Sequence, residues 1–300
     1  MNIPKWILDV FYSYLTSELI YFDGEYPIAT PVATFFNPTK NSIILSTSVS
    51  FYNKVKCIKQ NPNVSILYSK HEYSGLSEKP VVLVHGSAKV HEKDFEKNNA
   101  YLSKLIEEQK ETWKKEVYIK MGRELDSFIG RRLMDWYMLR ILIEIIPDGI
   151  VCWKKEANIL GSVDDLSKTI GSVKGDAVFA FMGEKYPIGI PVKLRKSNRK
   201  FLIENPTLNL KEGQKACLLI HSHNKYVKEI TLTRYKGRIS RISKTSRISR
   251  ISTREGEIGE IEFIPTSKFS FKQGGILNSI RFILDGKRRA KKFLERYKKT

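Results

Sequence analysis

Between Ser46 and Tyr68 the chain reads STSVSFYNKVKCIKQNPNVSILY. A strand ends in a Ser/Thr cluster, a short turn follows, and a helix carries Lys54, Lys56 and Lys59. Asn61-Pro62 then breaks the helix into the next strand. Hydroxyls, free backbone N–H groups at a helix start and a nearby lysine are what a phosphate monoester requires. The same residues fit a plainer account, in which Ser50 caps the helix and the lysines are solvated. Other candidates are thinner. His221 and His223 form an H-x-H on a strand with both imidazoles on one face, but no acid or Cys cluster nearby completes a metal site. The sequence carries no Ser/His/Asp or Cys/His signature, no Gly-rich nucleotide loop and no evident general acid or base.

The elements that must position this segment are strands, and they occur twice. EYPIATPV (Glu25 to Val32) recurs as KYPIGIPV (Lys185 to Val192) with five of eight letters identical. Each copy follows an apolar run and a Gly-containing turn, Asp23-Gly24 or Gly183-Glu184, which is a hairpin signature. In the same order NSIILST (41–47) matches RKFLIEN (199–205), and VSILYS (64–69) matches CLLIHS (217–222). VVLVHGSAKV (81–90) matches ITLTRYKGRISRI (230–242) on Gly86 and Gly237, and LIEIIP (142–147) matches EIEFIP (260–265). Each half therefore has about six short strands with turn residues between, which predicts a mainly β protein of two tandem six-stranded antiparallel barrels. The first half adds a helical stretch from about Lys93 to Arg140, with apolar residues at helical spacing.

Those strands and the Ser46–Tyr68 segment resemble the pyridoxamine 5′-phosphate oxidase-like family of FMN-binding split barrels. That family shows a hairpin with G-x-P…x-P-V, a strand ending in Ser/Thr, a basic residue opening a helix, and N-P-x-V-S/A-L and V-x-G-x-A-x-V strands. Here these are Gly24 to Val32, Ile43 to Ser48, Lys54, Asn61 to Leu67 and Val84 to Val90, with a closing strand from Ile146 to Trp153. The resemblance covers roughly Leu15 to Trp153; the second half, about Ser167 to Pro265, is matched through the internal repeat. It implies FMN, or another flavin or deazaflavin, in an oxidoreductase acting on a small molecule. Thr30, Pro31 and Val32 would offer backbone groups to the ring, and Ser46, Thr47 and Ser48 would line the ribityl and phosphate side. The family's basic pair at the helix start falls on Asn53 and Lys54, so one cation is missing. In the second half only Lys211 could replace Lys54, so the expected site lies on the first half. Family members pair with the cofactor between subunits, which implies an intramolecular pseudo-dimer or a homodimer of barrels.

The formal charge of +20 is unevenly spread. Residues 1–150 hold 19 Lys+Arg and 18 Asp+Glu, whereas residues 151–300 hold 33 and 14. Two stretches, 234–254 and 286–300, supply most of the excess, which concerns partners more than fold. The alternative reading is therefore a cofactor-free binding module whose basic half contacts nucleic acid or another polyanion. RISRISKTSRISRIS (Arg238 to Ser252) has period three and suits neither a one-faced strand nor an amphipathic helix; it is a basic hairpin extension, a loop or a phosphate-binding arm. After Gly274-Gly275 a helix is expected with Ile276, Leu277, Ile280, Ile283 and Leu284 on one side, broken at Gly286. That side would pack on the protein itself, or lie on an acidic membrane or nucleic acid. No apolar run approaches a membrane span, and Asp9 and Glu18 interrupt the N-terminal stretch, so it does not read as a signal peptide. Cys57, Cys152 and Cys217, odd in number and without CxxC spacing, read as free thiols of a cytoplasmic protein. The expected division is a first barrel over 1–155, a degenerate second barrel over 156–270, and a basic helix over 271–300.

Overall fold

The computed structural model describes residues 3–153, 177–197, 199–206, 210–245 and 258–297. The first half forms β1 (Ser17–Phe22), β2 (Pro27–Val32), β3 (Thr34–Asn37), β4 (Ser42–Ser48), β5 (Asn63–Tyr68), β6 (Val81–His91) and β7 (Arg140–Trp153). The second repeats them as β8 (Ala177–Met182), β9 (Pro187–Val192), β10 (Leu194–Ser197), β11 (Lys200–Pro206), β12 (Lys215–Ser222), β13 (Thr231–Thr245) and β14 (Ile258–Lys272). The antiparallel sheets run β2-β1-β5-β6-β7-β4-β3 and, in the same order of equivalents, β9-β8-β12-β13-β14-β11-β10. The fold is thus a tandem split barrel.

Seven strands stand in each sheet where six were expected because the strand after the hairpin is broken at one residue, Ala33 or Lys193. β2 pairs with β1 and β3 with β4, so the two edges of the sheet are consecutive pieces of one strand. That continuity curls the sheet back on itself. The Gly86/Gly237 match marks a shared bulge. Gly86 lies opposite Pro147 and Gly237 opposite Pro265, each at a register shift. A Cβ would stand 2.4 Å from the Ile146 carbonyl oxygen at Gly86 and 2.2 Å from that of Ile264 at Gly237, so only glycine fits.

The β5/β12 string match was one residue out. The registers superpose Ser65, opposite Ile20, on Cys217, opposite Ala180. One step of slip exchanges the two faces of a strand, but VSILYS and CLLIHS are apolar enough on both faces to hide it.

The Arg/Ile/Ser triplets run as strand through Thr245; residues 246–252 lie outside the described residues. The period of three is absorbed by a second bulge, where Ser240 is an extra residue between the pairs Ile239–Phe263 and Arg241–Glu262. Ile239 and Ile242 thereby both face the core, while Arg238 and Arg241 are exposed.

Among the described residues six α-helices accompany the strands. α1 (Lys5–Ser13) and α2 (Tyr52–Gln60) send Val10, Phe11, Val55 and Ile58 into the first barrel's core. α3 (Phe95–Glu107), α4 (Trp113–Asp126) and α5 (Phe128–Met134) fill the expected insertion and, through Leu105 and Tyr118, cover Phe35 and Ile44 on the outside of the sheet. α6 (Ile276–Tyr297) is unbroken at Gly286. That glycine is instead a seat for Trp136, whose ring would lie 2.2 Å from an added Cβ. α6 buries Ala290 and Phe293 in the first barrel's core, and β14 runs to Lys272, so the strand passes the expected boundary at 270. The expected boundary at 155/156 lies outside the described residues.

The barrels pack with pseudo-two-fold reciprocity: β2 meets β12 as β9 meets β5, and β2 meets β8 as β9 meets β1. Gly189, the equivalent of Ala29, permits this approach, since a Cβ there would fall 2.4 Å from Ile20 Cδ1. Acids on the first hairpin turn meet bases of the second half, Asp23 with Lys236 at 2.5 Å and Glu25 with Lys215 at 2.9 Å. Buried Glu18 accepts from His221 at 2.8 Å and from Ser69 at 3.1 Å, and Thr16 hydrogen-bonds His223 at 2.9 Å. The H-x-H pair thus joins the halves.

One buried cation sets a measurable property of the fold. Lys114 has no acid partner among the described residues; its Nζ donates to the Phe11 carbonyl at 2.7 Å and lies over the Phe35 ring. Burial pushes its pKa down to about 7. The unfolded chain then binds a proton that the folded chain lacks between about pH 7 and the ordinary lysine value, so stability rises with pH across that window. Lys114→Met should remove that slope, of up to about 1.4 kcal/mol per pH unit. Denaturant midpoints of both proteins at pH 7 and pH 10 check it.

Candidate functional site

The sequence-predicted segment ends one strand and starts two short helices. Ser48 caps a 3₁₀ turn (Val49–Phe51): its hydroxyl accepts from the Ser50 amide at 3.3 Å and donates to the Trp136 carbonyl at 2.9 Å. Ser50 donates to the Gly286 carbonyl at 2.8 Å. These hydroxyls anchor α2 and α6. Along β4, Thr47 is buried and shares the side of Ile43 and Leu45, which face the barrel interior, while Ser46 is half-buried on the opposite side. Asn53 is exposed at the start of α2.

Lys54 is half-buried and makes no hydrogen bond or ion pair among the described residues. Its pKa is pushed down to about 8, first by burial and then by the neighbouring charges of Arg234 and Arg140. Neither arginine has an acid partner among the described residues. Arg140 stacks on Tyr137 at 3.7 Å, and Arg234 lies 5.3 Å from the Phe269 ring centre. Three elements build this cluster: α2, the start of β7 opposite Ser48, and β13 of the other half. Like charges at a half-buried position oppose one another unless an anion joins them. Where the second cation of a basic pair was expected the chain has Asn53, and two arginines far away in sequence stand near Lys54 instead.

Beside the cluster lies a groove of about 530 Å³, lined by Phe51 from the 3₁₀ turn, Phe269 and Phe271 from β14, and Phe282 from α6. Phe51 and Phe282 stack at 6.4 Å, and Phe271 and Phe282 lie 5.7 Å apart. Lys272, Arg281, Arg288 and Arg289 stand around it, with Asp285 held by Arg288 and Arg289 at 2.6 Å each. Because Arg234 and Phe269 are cross-strand partners, the same face of the β13–β14 ribbon presents a cation and aromatic walls to the first half.

The pseudo-equivalent place has opposite chemistry. By strand register Leu83 stands for Arg234, Val151 for Phe269 and Trp153 for Phe271. All three are buried with Val81 and Leu210 in the second core. Lys211 is exposed there, and residues 207–209 lie outside the described residues.

Thr30, Pro31 and Val32 stand on β2, whose only partner strand among the described residues is β1, so one edge of its backbone carries no strand among them. Thr30 and Pro31 are half-buried and Val32 packs into the first core. Arg140, Arg234 and the phenylalanines were not foreseen as site residues. The repeat held a signal for Arg234, a cation where the other copy has leucine.

No family model and no curated protein matches the chain. Solved structures match about half of it, among them chains described as a pyridoxamine 5′-phosphate oxidase, an FMN-binding and an FAD-binding protein, a NimC/NimA family protein and a general stress protein. A pyridoxamine 5′-phosphate oxidase-related, FMN-binding protein from Nostoc punctiforme shares 10% identity over 56% of this chain and 95% of its own, at a TM-score of 0.36. An FAD-binding protein from Mesorhizobium loti shares 11% over 50% and 94%, at 0.30. General stress protein 26 from Bacillus anthracis shares 17% over 52% and 98%, at 0.30.

The electrostatics of the cluster are open to test. Lys54 should titrate near pH 8, followed by NMR of its ¹³C-methylated amine. In Arg234→Leu the value should rise, because a like charge has been removed, while burial and Arg140 still hold it below the ordinary lysine value.

Proposed function

We propose that the chain is a flavin-binding protein with one site, formed between its two barrels and taking the phosphate of FMN on Lys54, Arg140 and Arg234. The observation that carries this reading is the group of three cations without an acid partner among the described residues, bordered by phenylalanines. Charge-assisted bonds from two guanidinium forks and an ammonium suit a phosphate dianion. The phenylalanine walls suit a flat ring system. The motif set from Gly24 to Trp153 supports a flavin over other phosphorylated rings. In this reading the free edge of β2 at Thr30, Pro31 and Val32 offers backbone groups to the polar rim of the ring.

Once bound, the flavin supplies the redox chemistry. The chain's own residues hold the phosphate, exclude water with Phe51 and Phe269, and present the groove to a small substrate, which makes an oxidoreductase the natural extension. The apolar filling at Leu83, Val151 and Trp153 supports one flavin per chain.

FMN titration followed by flavin fluorescence tests the proposal. One FMN per chain should bind, and riboflavin, which lacks the phosphate, should bind at least about tenfold more weakly. Arg234→Leu, which installs the residue of the other copy, should weaken FMN by a similar factor and leave riboflavin unchanged. Absence of FMN binding up to about millimolar concentration would overturn the reading.

A further inference from the structure

The side of α6 turned away from the protein is not uniformly polar. Asn278, Phe282, Gly286, Ala290 and Phe293 form its inward stripe, against the 3₁₀ turn, Trp136 and Tyr52. On the outward stripe Leu277 is 73% exposed, Ile280 49% and Leu284 63%. Farther along, the stripe continues as exposed Arg288, Lys291 and Lys292. Of the expected apolar side of the helix, Leu277, Ile280 and Leu284 are thus exposed rather than packed on the protein, while Ile283 is half-buried.

A second apolar surface adjoins it. α5 leaves Phe128 80% exposed, Ile129 68% and Leu133 43%. Lys287 ties the two helices together, donating to the Arg132 carbonyl at 3.1 Å and pairing with Asp135 at 3.7 Å. Leu284 is one helical turn from Lys287, and Leu133 is next to Arg132, so the two strips meet at this contact. Arg131, Arg132, Arg281, Lys287, Arg288 and Arg289 surround them against Asp126, Asp135 and Asp285, an excess of three positive charges.

We infer that this two-helix face docks onto an anionic lipid bilayer surface, with Leu277, Ile280, Leu284, Phe128 and Ile129 entering the headgroup layer. Several large apolar side chains exposed together mark an interaction surface. The basic surround selects among occupants. A second copy would bring like charge against like, on chains of formal charge +20 each. Nucleic acid would satisfy the cations and leave the leucines and Phe128 in water. An anionic bilayer satisfies both, since basic residues meet the headgroups and apolar ones the acyl boundary. This inference uses no residue of the phosphate cluster, although Leu284, Arg281, Arg288 and Arg289 also border the phenylalanine groove.

Flotation with vesicles of phosphatidylcholine, alone or with about 30 mol% phosphatidylglycerol, tests it. The full chain should float with the anionic vesicles at least about tenfold more than with the neutral ones, less so as salt rises. L277S/I280S/L284S should lose most of that binding, and F128S/I129S part of it. All five side chains are exposed, so circular dichroism should be unchanged. Failure to float with anionic vesicles at low salt overturns the inference. So does equal binding by the triple variant, which would assign attachment to charge alone. A wild-type dimer in sedimentation velocity that the triple variant dissociates overturns it as well, by showing that a second copy covers the face.

Discussion

The whole arrangement depends on how closely two curled sheets can approach across a pseudo-two-fold axis. Ile20 occupies the volume that a side chain at position 189 would need, and its reciprocal neighbour Ala29 is nearly as small. Around that contact the interface is made of paired opposites: acidic hairpin residues against lysines, and a buried carboxylate against an imidazole. Bringing the barrels together places β13 of one half beside α2 of the other, and neither half owns the resulting cleft. The site is a property of the packing more than of either repeat.

Duplication normally yields two equal sites, and here the equality has been broken by a few side chains. A leucine, a valine and a tryptophan close one cleft as ordinary core. At the matching positions of the other copy an arginine and two phenylalanines leave a positive recess without an acid partner among the described residues. Hydrophobic burial stabilises the first arrangement directly, at about 25 cal/mol per Å². The second holds like charges near one another in a half-buried place, a cost that natural sequences carry at functional positions.

Much of the fold was legible because its constraints are local. The two proline-bearing hairpin strings mark equivalent strands, and Gly86 and Gly237 reveal a shared bulge, since each leaves no space for a Cβ. The β5/β12 register was not legible, because runs apolar on both faces carry no alternation to fix it. Gly286 reads as a helix breaker on propensity alone, and only the Trp136 ring explains why it sits mid-helix. Lys54 was identified from its place at a helix start. Arg140 and Arg234 were hidden because their proximity is created by strand pairing and by the barrel–barrel contact, and no spacing rule spans those. The Ser48 hydroxyl, expected on the phosphate side, is spent on the Trp136 carbonyl, and Ser50, read as the cap of the helix, donates instead to the Gly286 carbonyl.

The seating of Gly286 against Trp136 also orders events during synthesis. Helix α6, the last described element of the chain, inserts Ala290 and Phe293 into a core otherwise built from the first half. A nascent polypeptide can close its first barrel while the second is still being translated, but that barrel keeps an open flank until α6 leaves the ribosome. The docking of α6 therefore returns to a part of the molecule made well before it.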